Sequence, residues 1–267
     1  MSGSSVLQLE ELARHELRPA LFEYVLAIGD DLLILGHQLS KWCGHAPMLE
    51  EELALANIAL DCLGQAKAFL QLAGILERKG RDEDRLTFFR TAREFRNCVL
   101  VEQDNGDFAH TMCRQYLFDS YFVLLMSELK SSPVRPLSDL AVKAYGEGAY
   151  HLRHSSEWFL RLGNGTAESN QRLQRSLDDF WPFTGELFIS IPGTEQLTAK
   201  SLVPAPDSLR EKWHKPAAAF AAKANLHLTD KPSESTLLGR SGLHSEYLGH
   251  LLADMQSTAR SFPDVYW

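Results

Sequence analysis

Apolar residues recur along this chain at spacings of three and four, the period of an amphipathic helix, and runs of strict alternation are scarce. Leu21, Val25, Ile28, Leu32, Leu35 and Leu39 predict a helix over about 21–41, closing at Cys43-Gly44. A second is expected to start near Pro47, with Glu50, Glu51 and Glu52 at the positive end of its dipole. It runs through Leu53, Ala56, Leu60, Leu63, Ala66 and Leu70 to about Lys79 and ends at Gly80. Further helices are expected over about 82–101, 108–129, 137–162 and 166–188. The stops are Asp104-Asn105-Gly106, Ser131-Ser132-Pro133 and Gly163-Asn164-Gly165, with a bend at Trp181-Pro182. The prolines between Ile189 and Pro206 mark a connection. Helices near 208–226 and 242–261 follow, separated by a polar loop around 229–236. The pattern predicts an all-α fold of about seven helices, several of them longer than twenty residues, packed as an up-and-down bundle with additional helices. The expected division is a flexible N-terminal extension over 1–18 and a single helical domain over 19–267.

Composition narrows the class of function. The 267 residues are 45% hydrophobic and 23% charged, with a net charge of −8 and no basic tract. That balance argues against nucleic acid or an anionic membrane surface as a partner. Cys43, Cys62, Cys98 and Cys113 are widely spaced without a CxxC pair, which fits reduced thiols in a cytoplasmic protein. Neither a signal peptide nor an uninterrupted apolar run of spanning length is visible, so no membrane segment is expected.

Polar groups on four of the long helices fall where a bundle would hold metal ligands. The first helix has Asp30, Asp31 and His37, and the second has Asn57, Asp61 and Gln65 at successive four-residue steps. Within the apolar LALANIALDCLGQA at least one of Asn57 and Asp61 should face inward. The helix over 108–129 has Gln115 and Asp119, and the next reads GEGAYHLRH from Gly146 to His154. Bundle di-iron sites use Glu-x-x-His pairs, whose members share a helix face. Here the register is off: Tyr150 stands three residues after Glu147, and Gly148 three residues before His151. The second helix offers no such pair either, since Gly64 follows Asp61 by three. Two readings stay open, a di-iron site and a polar network at Asp30, Asp61, Asp119, Glu147 and His151 that no longer holds metal. His244, Glu246 and His250 near the end read as a capped terminal helix with exposed histidines. No G-x-S-x-G, catalytic Cys-His pattern or nucleotide loop occurs.

Several strings together carry a resemblance. They are Trp42-Cys43-Gly44-His45-Ala46-Pro47, Leu55-Ala56-Asn57-Ile58-Ala59-Leu60-Asp61, Val101-Glu102-Gln103-Asp104-Asn105-Gly106-Asp107-Phe108-Ala109 and Arg114-Gln115-Tyr116. Tyr150-His151-Leu152-Arg153, Arg161-Leu162-Gly163-Asn164-Gly165-Thr166, Phe183-Thr184-Gly185-Glu186-Leu187-Phe188 and Gly242-Leu243-His244 continue in order. Over roughly 20–267 the chain resembles the C subunits of the ring-1,2-phenylacetyl-CoA epoxidases of bacterial phenylacetate catabolism.

That resemblance implies a ferritin-like bundle in a multicomponent, NADPH- and O2-dependent monooxygenase. It implies a related catalytic A subunit that holds the di-iron centre and binds phenylacetyl-CoA, and a reductase carrying FAD and an iron–sulfur cluster. This chain is then a structural subunit that binds no metal or cofactor itself, with Asp30, Asp61, Asp119, Glu147 and His151 as vestigial metal-site positions. Trp42, Tyr116, Phe118, Tyr121 and Phe122 are candidate interface anchors, and Lys67, Arg93, Arg96 and Arg114 candidate contacts to CoA phosphates. The alternatives are an autonomous di-iron carboxylate oxygenase and a stand-alone acyl-CoA-binding bundle.

Overall fold

The computed structural model describes residues 7, 8, 11, 15–228, 238–263 and 265. Among them are ten α-helices and no named strand: α1 (Arg18–Ser40), α2 (Leu49–Glu77), α3 (Glu83–Phe88), α4 (Val99–Glu102), α5 (Phe108–Leu129), α6 (Arg135–Gly163), α7 (Ala167–Phe180), α8 (Glu195–Ala199), α9 (Pro206–Lys223) and α10 (Glu246–Ser261). Short 3-10 turns cover Ala92–Glu94, Trp181–Phe188 and Gly239–Ser241. The loop expected at 229–236 and most of the extension expected at 1–18 lie outside the described residues. Leu7 is described: its N–H donates to the Pro133 carbonyl at 2.9 Å, and its own carbonyl accepts from the Arg135 N–H at 3.0 Å.

The frame is a ferritin-like, up-and-down bundle of α1, α2, α5 and α6. Helix α1 is buried on nearly every side, because Leu26, Leu33 and Ile34 fill the gaps between its predicted apolar positions. It lies antiparallel to α2, and two glycines seven residues apart let the backbones close. A Cβ on Gly29 would stand 3.0 Å from Leu70, and one on Gly36 would stand 3.1 Å from the Ala59 carbonyl oxygen. On the other side of the bundle Tyr116 of α5 stacks between Phe159 of α6 and Phe220 of α9, with centroids 4.5 and 4.8 Å away. Helix α10 is held to the α3 end by Gln256, whose side-chain amide donates to the Thr87 and Arg90 carbonyls at 3.0 Å.

One predicted helix is not formed. The stretch 82–101 breaks into α3, a 3-10 turn and α4, because its amides are taken by carboxylates from elsewhere. Asp30 accepts from the Arg96 N–H at 2.8 Å, Asp31 from Cys98 at 2.7 Å and Glu186 from Val99 at 2.7 Å. A helix would spend those donors internally, and buried carboxylates without donors would be costlier still. The helix expected over 166–188 likewise ends at Phe180 and continues as a 3-10 segment through Pro182. The last helix starts at Glu246 rather than Gly242, which takes a left-handed conformation with φ 80°.

Helix α2 is long and apolar enough, by length and composition, to cross a membrane, and less than half of that stretch is buried in the chain. Its inner face packs Leu55, Ile58, Cys62 and Phe69 into the bundle, as the core helix of a globular domain does.

Candidate functional site

The polar residues of α2, α5 and α6 meet in a seam through the bundle. Gln65 Nε2 donates to Glu147 Oε2 at 2.7 Å, His151 Nε2 lies 3.1 Å from Asp61 Oδ2, and His154 Nε2 lies 2.8 Å from Glu51 Oε2. Deeper in, Asp119 accepts from Gln115 Nε2 at 2.7 Å and from Ser155 Oγ at 2.8 Å. Cys62 sits among them: burial pushes its thiol up, and Asp119, Asp61 and Glu147 push it further. Burial also raises the Asp119 carboxyl to about 7, against the pull of its two hydrogen bonds, and lowers the His151 imidazole despite Asp61. The seam thus shifts both Asp119 and His151 towards their neutral forms.

Of the five candidate positions, four line this seam: Asp61, Asp119, Glu147 and His151. Asp30 does not join them. Its carboxylate receives both terminal nitrogens of Arg90, Nη1 at 2.9 Å, as a fully buried pair. Asn57 is exposed and Asp61 only half covered, with 42% of its side chain accessible, so of these three polar positions on α2 the buried one is Gln65.

A di-iron pair needs several carboxylates and two histidines with lone pairs turned to a common point. The donor set here does not fit. Gln65, Gln115 and Ser155 aim hydrogens at the carboxylates where metals would need oxygen lone pairs. The buried acceptors Gln65 Oε1 and Gln115 Oε1, which have no protein partner, are neutral amides. At Gly148, where the missing glutamate of a Glu-x-x-His would stand, the Phe122 ring fills the space, and a Cβ there would lie 3.1 Å from its edge. Among the described residues no three His, Cys, Asp or Glu side chains gather as a metal cage.

A second polar system holds the C-terminal segment to the core. Arg240 donates to both oxygens of Asp31, at 3.0 and 2.6 Å, and to the Arg96 carbonyl at 2.8 Å. Burial pulls its guanidinium down most strongly, but the Asp31 charge and hydrogen bonds, with Cys98 and Tyr121, together outweigh that and raise it. The Arg240 N–H donates to Glu186 at 2.9 Å, and His244 bridges Glu102 at 2.8 Å and the Phe95 carbonyl at 3.1 Å. His244 is therefore buried rather than exposed, because it closes over Glu102, which is itself fully buried. Asp30-Asp31 in an apolar helix was the visible signal of such pairs. The arginines that answer it lie 60 and 209 residues further along, beyond the reach of any spacing rule.

The aromatic anchors are corrected by burial. Tyr116, Phe118, Tyr121 and Phe122 are core residues, and Trp42 donates to Thr111 Oγ1 at 3.0 Å while packing on Phe108. Of the cations, Arg114 is fully buried on the Gln103 carbonyl and Asn105, its guanidinium pushed down to about 10 by burial. Arg96 is tied to Glu23 at 3.1 Å; Lys67 and Arg93 are at the surface.

Comparison with known proteins places this frame. The family model described as phenylacetic acid catabolic protein matches residues 7–267. The chain is similar to the C subunit of the 1,2-phenylacetyl-CoA epoxidase of Escherichia coli (strain K12), at 43% identity over 247 residues, 92% of this chain and 99% of that protein. A match over nearly the whole length, on an all-helical bundle, leaves one assignment: the chain belongs to the phenylacetic acid catabolic protein family.

Proposed function

We propose that this chain is a non-catalytic, structural subunit of a 1,2-phenylacetyl-CoA epoxidase, a multicomponent monooxygenase of phenylacetate degradation. The similarity to an epoxidase C subunit along almost its entire length supports the assignment to the complex. The observation that carries the non-catalytic reading is the seam: its carboxylates accept hydrogen bonds from Gln65, Gln115 and Ser155, and Phe122 fills the space beside Gly148. On this reading Asp61, Asp119, Glu147 and His151 mark a former metal site, and Asp30 serves the Arg90 pair instead. The di-iron centre belongs to the catalytic A subunit, which binds phenylacetyl-CoA, and FAD and the iron–sulfur cluster to the reductase. This chain stabilises that catalytic partner, in the cytoplasm.

The test is co-expression with the A-type subunit, followed by metal analysis of each chain and assay with reductase, NADPH, O2 and phenylacetyl-CoA. The expected outcome is a co-purifying complex whose iron and turnover follow the A-type partner, with sub-stoichiometric iron on this chain. Stoichiometric iron and oxygen-dependent turnover from this chain alone would establish an autonomous oxygenase instead. Tight phenylacetyl-CoA binding without any other subunit would favour a stand-alone acyl-CoA-binding bundle.

A further inference from the structure

A cleft of about 720 Å³ opens between α3 and the C-terminal end of α10, and it shares no residue with the seam. That size suits a small-molecule site, and so does the lining, apolar walls carrying a few charges. Phe88 and Phe89 form one wall, and Met255, Phe262 and Val265 form the other. Phe262 and Val265 are 55% and 51% exposed, so among the described residues nothing covers this apolar lip.

The charges around the cleft divide into those already used and those still open. Glu83 turns to α2, where it accepts from Gln71 Nε2 at 2.8 Å and lies 3.7 Å from Lys67. Arg260 of α10 donates to the Phe88 and Arg90 carbonyls at 3.1 and 2.9 Å. Asp82, Asp84 and Arg85 line the cleft itself. Asp82 gives one oxygen to the Arg85 N–H at 2.8 Å and keeps the other free. Among the described residues, neither the Asp84 carboxylate nor the Arg85 guanidinium has a hydrogen-bond or ion-pair partner. The guanidinium lies over the Phe89 ring, 4.4 Å from its centroid. Such stacking fixes its plane and leaves its N–H edge open to a planar anion.

Opposite charges that line one apolar cleft without pairing are complementary to a ligand carrying both. A simple carboxylate would meet Arg85 but also two aspartates, and a simple ammonium would meet the aspartates but also Arg85. We propose that this cleft binds a free α-amino acid with an apolar side chain. Its carboxylate takes the open edge of Arg85, and its ammonium goes to Asp84 and the free oxygen of Asp82. Its side chain lies among Phe88, Met255 and Phe262.

The site belongs to the chain by itself and does not depend on the assignment to an epoxidase. Its test is calorimetric titration of the full chain with L-phenylalanine, L-leucine and L-methionine. Two analogues of L-phenylalanine are run alongside: phenethylamine, which lacks the carboxylate, and hydrocinnamate, which lacks the ammonium. L-phenylalanine is expected to saturate a single site and to bind about tenfold more tightly than either analogue, the worth of one charged hydrogen bond. Arg85→Gln should weaken L-phenylalanine by that factor and leave phenethylamine no weaker. Asp84→Asn should weaken it likewise and leave hydrocinnamate no weaker, whereas Phe262→Ala should weaken all three. These positions are exposed, so each variant is expected to keep the circular dichroism spectrum and melting temperature of the wild type. Failure of all three amino acids to saturate at millimolar concentration overturns the proposal, as does binding that neither Arg85→Gln nor Asp84→Asn weakens. Equal affinity for hydrocinnamate would make the cleft an aryl carboxylate site, and equal affinity for phenethylamine an organic cation site; either result overturns it.

Discussion

Asp119 and Asp61 occupy the same seam and differ in what surrounds them. Asp119 is buried with two neutral donors and no cation in contact, so its carboxyl is raised to about 7. A carboxyl raised above its unfolded value near 4 adds stability that is complete below that value and is lost as pH rises through about 7. Wild-type stability, followed by urea denaturation, should therefore fall relative to Asp119→Asn between about pH 4 and 7. A pH-independent difference between the two proteins would show that Asp119 is charged throughout. Asp61 is half exposed with a single partner, His151. Asp61→Asn is expected to change stability by less than about 1 kcal/mol, as for exposed pairs. It should also leave complex assembly and epoxidase turnover within about twofold. A loss of turnover by orders of magnitude would instead make Asp61 a ligand.

At the scale of elements, the interruption between α3 and α4 and the docking of the C-terminal segment are one event. Asp31 caps the Cys98 amide and binds Arg240, so the same carboxylate holds the unwound segment and the stretch preceding α10. Glu186 repeats the device with Val99 and Arg240. Removing one member of a buried pair leaves an uncompensated charge, which costs about 3–5 kcal/mol. Asp31→Ala should lower the unfolding free energy by that much. It should also raise hydrogen exchange at Cys98 and across α10 before the α1–α2 hairpin opens. Equal exchange in all helices would mean that the C-terminal segment is held by its apolar contacts alone.

For the whole molecule, the arrangement of interior and surface is that of a subunit. Its four-helix frame keeps a polar seam whose carboxylates are met by hydrogen-bond donors of the same chain, and one long helix keeps exposed leucines on its outer face. If the chain supports an A-type partner, disrupting the frame should reduce epoxidase turnover through loss of the complex. Turnover should then recover when excess intact chain is added back. Iron analysis of the separated chains checks the same point from the other side, and iron retained by this chain would contradict the structural role.

What was determined by the sequence alone is local and periodic. The period of 3.6 placed α1, α2, α5 and α6 to within a few residues, because each carries its own apolar face and its own stop signals. The absence of a Glu-x-x-His spacing in GEGAYHLRH was equally visible, since that spacing lies within one helix. The tertiary structure decided everything that depends on a distant partner. It moved Asp30 from the candidate site to Arg90, broke the helix expected over 82–101 around Asp31 and Glu186, and buried His244 on Glu102. It also turned four of the five aromatic anchors into core and placed Phe122 beside Gly148. The physical reason is that a buried carboxylate must find donors and an apolar face must find cover, while the chain can supply either from any sequence distance. Periodicity announces the need; only packing selects which residue meets it.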